Sequence, residues 1–246
     1  MTAIIIFSEF LCLEKENKVK RFILPMTTML ITLLLLISTS AVMAEQPSDS
    51  EYLDGGKNES ALILAHGRGK HPTWLVVNPL RNGAHEKLGY HTLSLQMPND
   101  DDRHWKEYAE DFPAAYKIID DAVRFLRQEK NIKNIYLMGH SMGSRMVSAY
   151  MSENQNANIN GLIIAGCRNN GGEPFDCYEN VSGLKLPILD IWGDDNYKDQ
   201  TAAEDRSELK SKTYTQVAID SANHKFEGYD EEFVNAVVKW LQQVKK

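Results

Sequence analysis

The run Ile135-Tyr136-Leu137-Met138-Gly139-His140-Ser141-Met142-Gly143 decides how this chain is read. Four strand-forming apolar residues lead into a Gly-x-Ser-x-Gly pentapeptide, and Met142 to Ser152 then continues at helical spacing. Such a junction lifts one hydroxyl above the end of a sheet. It needs residues without side chains on either flank so that strand and helix can approach each other. Ser141 is therefore the candidate nucleophile, and the backbone N–H of Met142 is a candidate donor to an oxyanion.

Outward from this junction, short β-rich runs alternate with amphipathic ones, which predicts an α/β fold with a mostly parallel central sheet covered by helices on both faces. Strands are expected at 61–65, 91–95, 135–138, 161–165, 187–192 and 214–219; most are nearly unbroken apolar runs, as in strands buried on both sides. Helices are expected at about 79–87, 108–130, 142–152, 201–211 and 231–244. In the last of these Phe233, Val234, Val237, Val238 and Leu241 form one apolar stripe that packs on the sheet.

A serine hydroxyl is a weak nucleophile at neutral pH, so a base must take its proton and a carboxylate must orient the base. For a nucleophile on this kind of turn the chain order is serine, acid, histidine. His224 is the only histidine after Ser141 and follows the last strand, so it is the candidate base. Twelve carboxylates lie between the two. Asp194 and Asp195 follow Gly193 at the end of the strand at 187–192, and position favours Asp195, with Asp194 as the alternative. The loop Ala65-His66-Gly67-Arg68-Gly69 after the first strand should give the second oxyanion donor, the Arg68 amide. The sequence has no H-E-x-x-H or paired C-x-x-C spacing, and Gly67-Arg68-Gly69-Lys70 is too short for a phosphate loop, so no metal or cofactor is expected.

The N-terminus reads as an address. Lys18, Lys20 and Arg21 precede the apolar run from Met29 to Ile37, and Ala41-Val42-Met43-Ala44 ends the segment at a small-residue cleavage pattern. Residues 1–44 are thus expected to be a signal peptide for export to the periplasm or medium, and 45–246 a single domain; the alternative is an uncleaved membrane anchor, the chain's one expected membrane contact. The long stretch before Lys18 points to a misplaced start, with Val19 as the expected initiator. Cys12 would leave with the signal, so Cys167 and Cys177 remain as an even pair where disulfides persist, and a bridge between them is expected. With 27 basic against 34 acidic residues the chain carries no field for neutralising phosphates, and nucleic acid is not an expected partner.

Taken together, the His-Gly loop, the Gly-His-Ser141-Met-Gly turn, Gly193-Asp194-Asp195 and the late His224 resemble the α/β-hydrolase superfamily. More narrowly, the stretch from Ala61 through Pro72-Thr73-Trp74, with 92–95 and His224-Lys225-Phe226-Glu227-Gly228, resembles a group of exported bacterial α/β-hydrolase proteins of unknown function. In many relatives the acid stands three residues after the strand-end glycine, where this chain has Asn196. The resemblance implies the fold and the catalytic residues of a serine hydrolase without a substrate; export and the lack of room for a cap suit a small-molecule or envelope-associated ester, cleaved through an acyl-enzyme on Ser141. The alternative is a catalytically silent binding protein of the cell envelope. About twenty residues separate the strands at 161–165 and 187–192, too few for a large cap domain. Trp74, Met97, the loop from Asp100 to Trp105 and Phe226 are the candidate walls of an open pocket.

Overall fold

Seven strands form one sheet in the order β1-β3-β2-β4-β5-β6-β7. They are Glu51–Leu53 (β1), Ser60–Ala65 (β2), His91–Leu95 (β3), Asn134–His140 (β4), Gly161–Ala165 (β5), Ile188–Gly193 (β6) and Tyr214–Ile219 (β7). This is a computed structural model, and it describes residues 43–99 and 102–244. The expected signal segment lies outside the described residues except for Met43 and Ala44, as do Asp100 and Asp101. Every neighbouring pair is parallel except β1 with β3.

Side chains alternate across the sheet, so each central strand feeds two cores. Leu62, Leu64, Met138 and Ile163 pack beneath helices Val77–Leu88 (α1) and Asp230–Val244 (α6). Ile63, Leu137, Leu162 and Ile164 pack beneath Phe112–Gln128 (α2) and Met142–Glu153 (α3). The stripe Phe233, Val234, Val237, Val238 and Leu241 is buried as its spacing predicts. This is the α/β-hydrolase fold, and among the described residues no large cap domain covers it.

Register brings the strand ends together. Ala65 lies opposite Gly139, and His140 opposite Ala165, so β2, β4 and β5 finish side by side and open one crevice beyond their carboxyl ends.

Four elements differ from the sequence reading. The helix expected over 108–130 is α-helical only over Phe112–Gln128, and a 3-10 helix, Trp105–Asp111, leads into it. β1 has only three residues and no alternation to announce it; its pairing with the exposed edge of β3 makes it a strand. A short helix, Cys177–Ser182 (α4), stands where a loop was expected; the Asp176 side chain caps it by accepting from the N–H groups of Tyr178 and Glu179. The helix expected from Thr201 begins at Tyr197 (α5, Tyr197–Asp205), because Asn196 accepts from the Asp199 N–H and serves as its N-cap. That shift of one turn decides which carboxylate meets His224. A turn of 3-10 helix, Arg206–Leu209, follows α5 and brings Arg206 under the sheet edge.

Candidate functional site

Ser141 sits at the sharp turn between β4 and α3 with φ 56° and ψ −113°, a backbone conformation that residues with side chains rarely adopt. The flanking glycines are steric necessities. A Cβ on Gly139 would fall under 3 Å from the Gly143 backbone, and one on Gly143 under 3 Å from the carbonyls of Ala65 and His66. The turn is tied down by the Ser141 N–H donating to the Ala165 carbonyl at 2.9 Å and by the buried Ser144 hydroxyl donating to the Gly139 carbonyl at 2.6 Å.

His224 arrives from the loop after β7. Its Nε2 lies 3.0 Å from Ser141 Oγ, and its Nδ1 hydrogen bonds to a carboxylate. That carboxylate belongs to Asp199 and not to Asp195 or Asp194. Asp195 is exposed on the turn after β6, and Asp194 accepts from the Ser221 N–H at 2.6 Å. Asp199, in the first turn of α5, has no exposed side-chain surface; one oxygen meets His224 and the other accepts from Arg168 Nε at 2.7 Å. Asn196, at the position the acid takes in many relatives, is occupied in capping α5. Burial pushes the Asp199 carboxyl up, but His224 and the Arg168 guanidinium together outweigh it and hold the group below the usual carboxylate range. A buried anion on Nδ1 fixes the tautomer that leaves Nε2 free to accept the Ser141 proton.

Two further residues shape this arrangement. Gly166 follows β5 at φ 58°; a Cβ there would come within 3.0 Å of the His224 ring and 3.3 Å of the Asp199 carboxylate. His140, the variable residue before Ser141, is buried; its Nε2 donates to the His224 carbonyl at 2.8 Å, and its ring packs 4.9 Å from that of His224. Burial pushes its pKa down to about 3, so it stays neutral. The sequence held the signal for both, a glycine just after a strand and a second histidine in the pentapeptide. Neither has a contact that spacing alone could assign.

A cavity of about 550 Å³ opens beside Ser141, and Arg68 and Met142, the two expected oxyanion donors, line it with the serine. His66 is structural: its Nδ1 donates to the Gly67 carbonyl at 2.8 Å and its Nε2 accepts from the Met97 N–H at 3.1 Å, which pins the His-Gly loop to the chain after β3. Of the expected pocket walls, Trp105 lines the cavity, whereas Met97 is core and Phe226 stacks in the interior on Phe233 at 4.4 Å. Trp74 packs against His140 behind the site, 5.9 Å between ring centres. Cys167 and Cys177 are joined by a disulfide with their Cα atoms 6.0 Å apart, which ties the chain after β5 to α4. Among the described residues no group of three His, Cys, Asp or Glu is placed to share a metal ion, and no helix is long and apolar enough to cross a membrane.

The chain is similar in fold to several solved structures. Est1E from Butyrivibrio proteoclasticus, solved with ferulic acid bound, aligns with a TM-score of 0.65 at 16% identity, over 80% of this chain and 95% of that one. Dienelactone hydrolase from Anabaena variabilis gives a TM-score of 0.65 at 16% identity, over 82% and 96%. An α/β serine hydrolase without a lid from Xanthomonas campestris gives 0.56 at 18% identity, over 80% and 95%. Residues 114–243 match the family described as protein of unknown function (DUF3530). No curated protein is significantly similar in sequence.

Proposed function

Since the chain belongs to the family described as protein of unknown function (DUF3530), we propose its activity from the site itself: a serine hydrolase that cleaves carboxylic esters through an acyl-enzyme on Ser141. The observation that carries this is the continuous chain Ser141 Oγ, His224 Nε2, His224 Nδ1 and Asp199 carboxylate, closed by Arg168.

In the proposed reaction Ser141 Oγ attacks the ester carbonyl as its proton passes to His224 Nε2. Asp199 stays ionised and steadies the imidazolium. The tetrahedral oxyanion is held by the N–H groups of Met142 and Arg68. His224 then protonates the departing alcohol, which leaves the acyl group on Ser141. Water enters, gives a proton to His224 and attacks the acyl carbon; on collapse Oγ departs, takes that proton back, and the carboxylic acid is released. A silent binding protein, the competing reading, would leave His224 without an acid, and Asp199 stands where that acid is needed.

Export belongs to this proposal. The order of cations, apolar run and Ala-x-Ala-like end over residues 1–44 supports it, as does the Cys167–Cys177 disulfide. The test uses a fluorophosphonate probe and 4-nitrophenyl esters of short and medium acyl length on the chain starting at Glu45. Labelling and turnover are expected in the wild type and absent in Ser141→Ala; a folded wild type that neither labels nor turns over would overturn the reading.

A further inference from the structure

The cavity beside Ser141 has a charge opposite to that of the molecule. Arg68, Arg145, Arg168 and Lys198 line it against one lining carboxylate, Asp205, although the whole chain has a formal charge of −7. Arg168 is matched by Asp199. Arg145 is not matched in this way.

Arg145 lies one helical turn after Ser141, and its N–H donates to the Ser141 carbonyl at 3.3 Å. Arg145 is only 6% exposed, yet among the described residues no carboxylate forms an ion pair with it. Its Nη1 donates to the Asn170 carbonyl at 2.7 Å and its Nη2 to the Asn170 side-chain oxygen, both neutral acceptors. The guanidinium lies over the Trp105 ring at 5.0 Å and 5.8 Å from that of Phe175. Asp176 and Asp199 act on it only through space, the first engaged in capping α4 and the second in holding His224 and Arg168. Desolvation and the neighbouring Arg168 push its pKa down to about 10, so it is still charged at neutral pH. A buried cation without a counter-ion is costly unless something supplies the charge. Arg145 is among the residues that line the cavity beside Ser141.

We propose that this cavity is an anion-accepting subsite, with Arg145 as its fixed cation, and that the esters cleaved at Ser141 carry a negatively charged group. The aromatic clamp of Trp105 and Phe175 and the two bonds to Asn170 hold the guanidinium in place, so an anion meets a donor already oriented. Arg168, Arg68 and Lys198 add to the local field, the last two from exposed positions where salt screens them. This inference rests on the proposed esterase reading.

The test compares esters matched in shape and differing in charge. The acyl-side pair is 4-nitrophenyl hexanoate and the mono-4-nitrophenyl ester of adipic acid; the alcohol-side pair is methyl 4-acetoxybenzoate and 4-acetoxybenzoate. Wild type at low salt should favour the anionic member of one pair by about tenfold or more in kcat/KM, and the pair that responds tells which side of the ester enters the cavity. The preference should shrink toward one in Arg145→Gln and persist in part in Arg145→Lys. Where Arg145→Gln does not fold, Arg145→Lys and the salt dependence of the wild-type preference decide. Equal or better turnover of both neutral esters, or a preference indifferent to Arg145 and to salt, overturns the subsite while fluorophosphonate labelling of Ser141 still stands. Absence of labelling overturns the esterase reading instead.

Discussion

Two arginine–aspartate pairs in this molecule are put to opposite uses. Arg206 and Asp190 meet through two bonds, Nε to Oδ2 at 3.0 Å and Nη2 to Oδ1 at 2.8 Å, with 1% and 0% of their side chains exposed. Tyr214 and Gln216 also donate to the Asp190 carboxylate, and Arg206 Nη1 donates to the Cys167 carbonyl at 3.0 Å. Arg168 and Asp199 meet through one bond; the second Asp199 oxygen serves His224, and Arg168 is 30% exposed on the cavity wall. The first pair is saturated and buried, so it pins the segment after α5 to β6. The second is left partly open, so its charge acts on a histidine. What separates them is how many neighbours close around the pair.

The largest expected effect breaks the open pair. Asp199→Asn should lower ester turnover by roughly 10⁴-fold, because the amide no longer holds His224 in the tautomer that accepts from Ser141. Asp195→Asn, on the exposed turn, should leave turnover within twofold; a steep loss there and none at position 199 would restore the acid read from sequence. Steady-state kinetics on 4-nitrophenyl esters distinguishes the two.

Breaking the closed pair should cost stability. Asp190→Asn leaves Arg206 charged and buried, at a cost of about 3–5 kcal/mol, which for a domain of this size lowers Tm by roughly 10 °C. The double variant Asp190→Leu with Arg206→Met should recover most of that loss in thermal melts, since no charge is left stranded.

Acid sharpens the contrast. Asp199 stays ionised below the usual carboxylate range, so mild acid leaves its pair with Arg168 intact and reaches two buried imidazoles. Burial pushes His66 down to about 4 and His140 to about 3 from 6.5. Between those values and 6.5 the unfolded chain binds protons that the folded chain refuses. Their contribution is therefore complete above pH 6.5 and lost as pH falls through that window toward 4 and then 3. From pH 7 to 5 each should remove about 2 kcal/mol, read from urea midpoints. His66→Gln should flatten the dependence; an unchanged slope would remove His66 from the account.

The smallest effect concerns Arg168. Arg168→Met should reduce turnover about tenfold, through loss of one charge-assisted bond to Asp199, and raise the acidic limb of the pH–rate profile as the Asp199 carboxyl moves up. Its Tm should change by far less than that of Asp190→Asn, because its side chain is partly solvated.

Much of the site was legible because its spelling is forced locally. The elbow's glycines, the strand before it and a lone late histidine each follow from steric or chemical demands within a few residues. The acid was not legible, because its assignment turned on where a helix begins. With the helix read from Thr201, Asp199 counted as loop, and Asp194 and Asp195 stood nearest the strand end. The Asn196 cap moves the start back to Tyr197 and aims Asp199 inward. An Asn followed three residues later by an acid is an N-terminus signature that could have shown this. Nothing local could have shown that Gly166 makes room for the His224–Asp199 pair, since the contact joins segments more than thirty residues apart.

By itself, the sequence determined the parallel sheet, the strand-turn-helix at Ser141 and the identity of His224, because apolar periodicity and glycine placement act over a handful of bonds. Only the tertiary structure decided which of twelve carboxylates meets His224 and which arginine is left facing a cavity without a counter-ion. The physical reason is that burial and pairing of charge depend on what other segments bring to the same place, and the sheet's register together with the start of α5 sets that meeting.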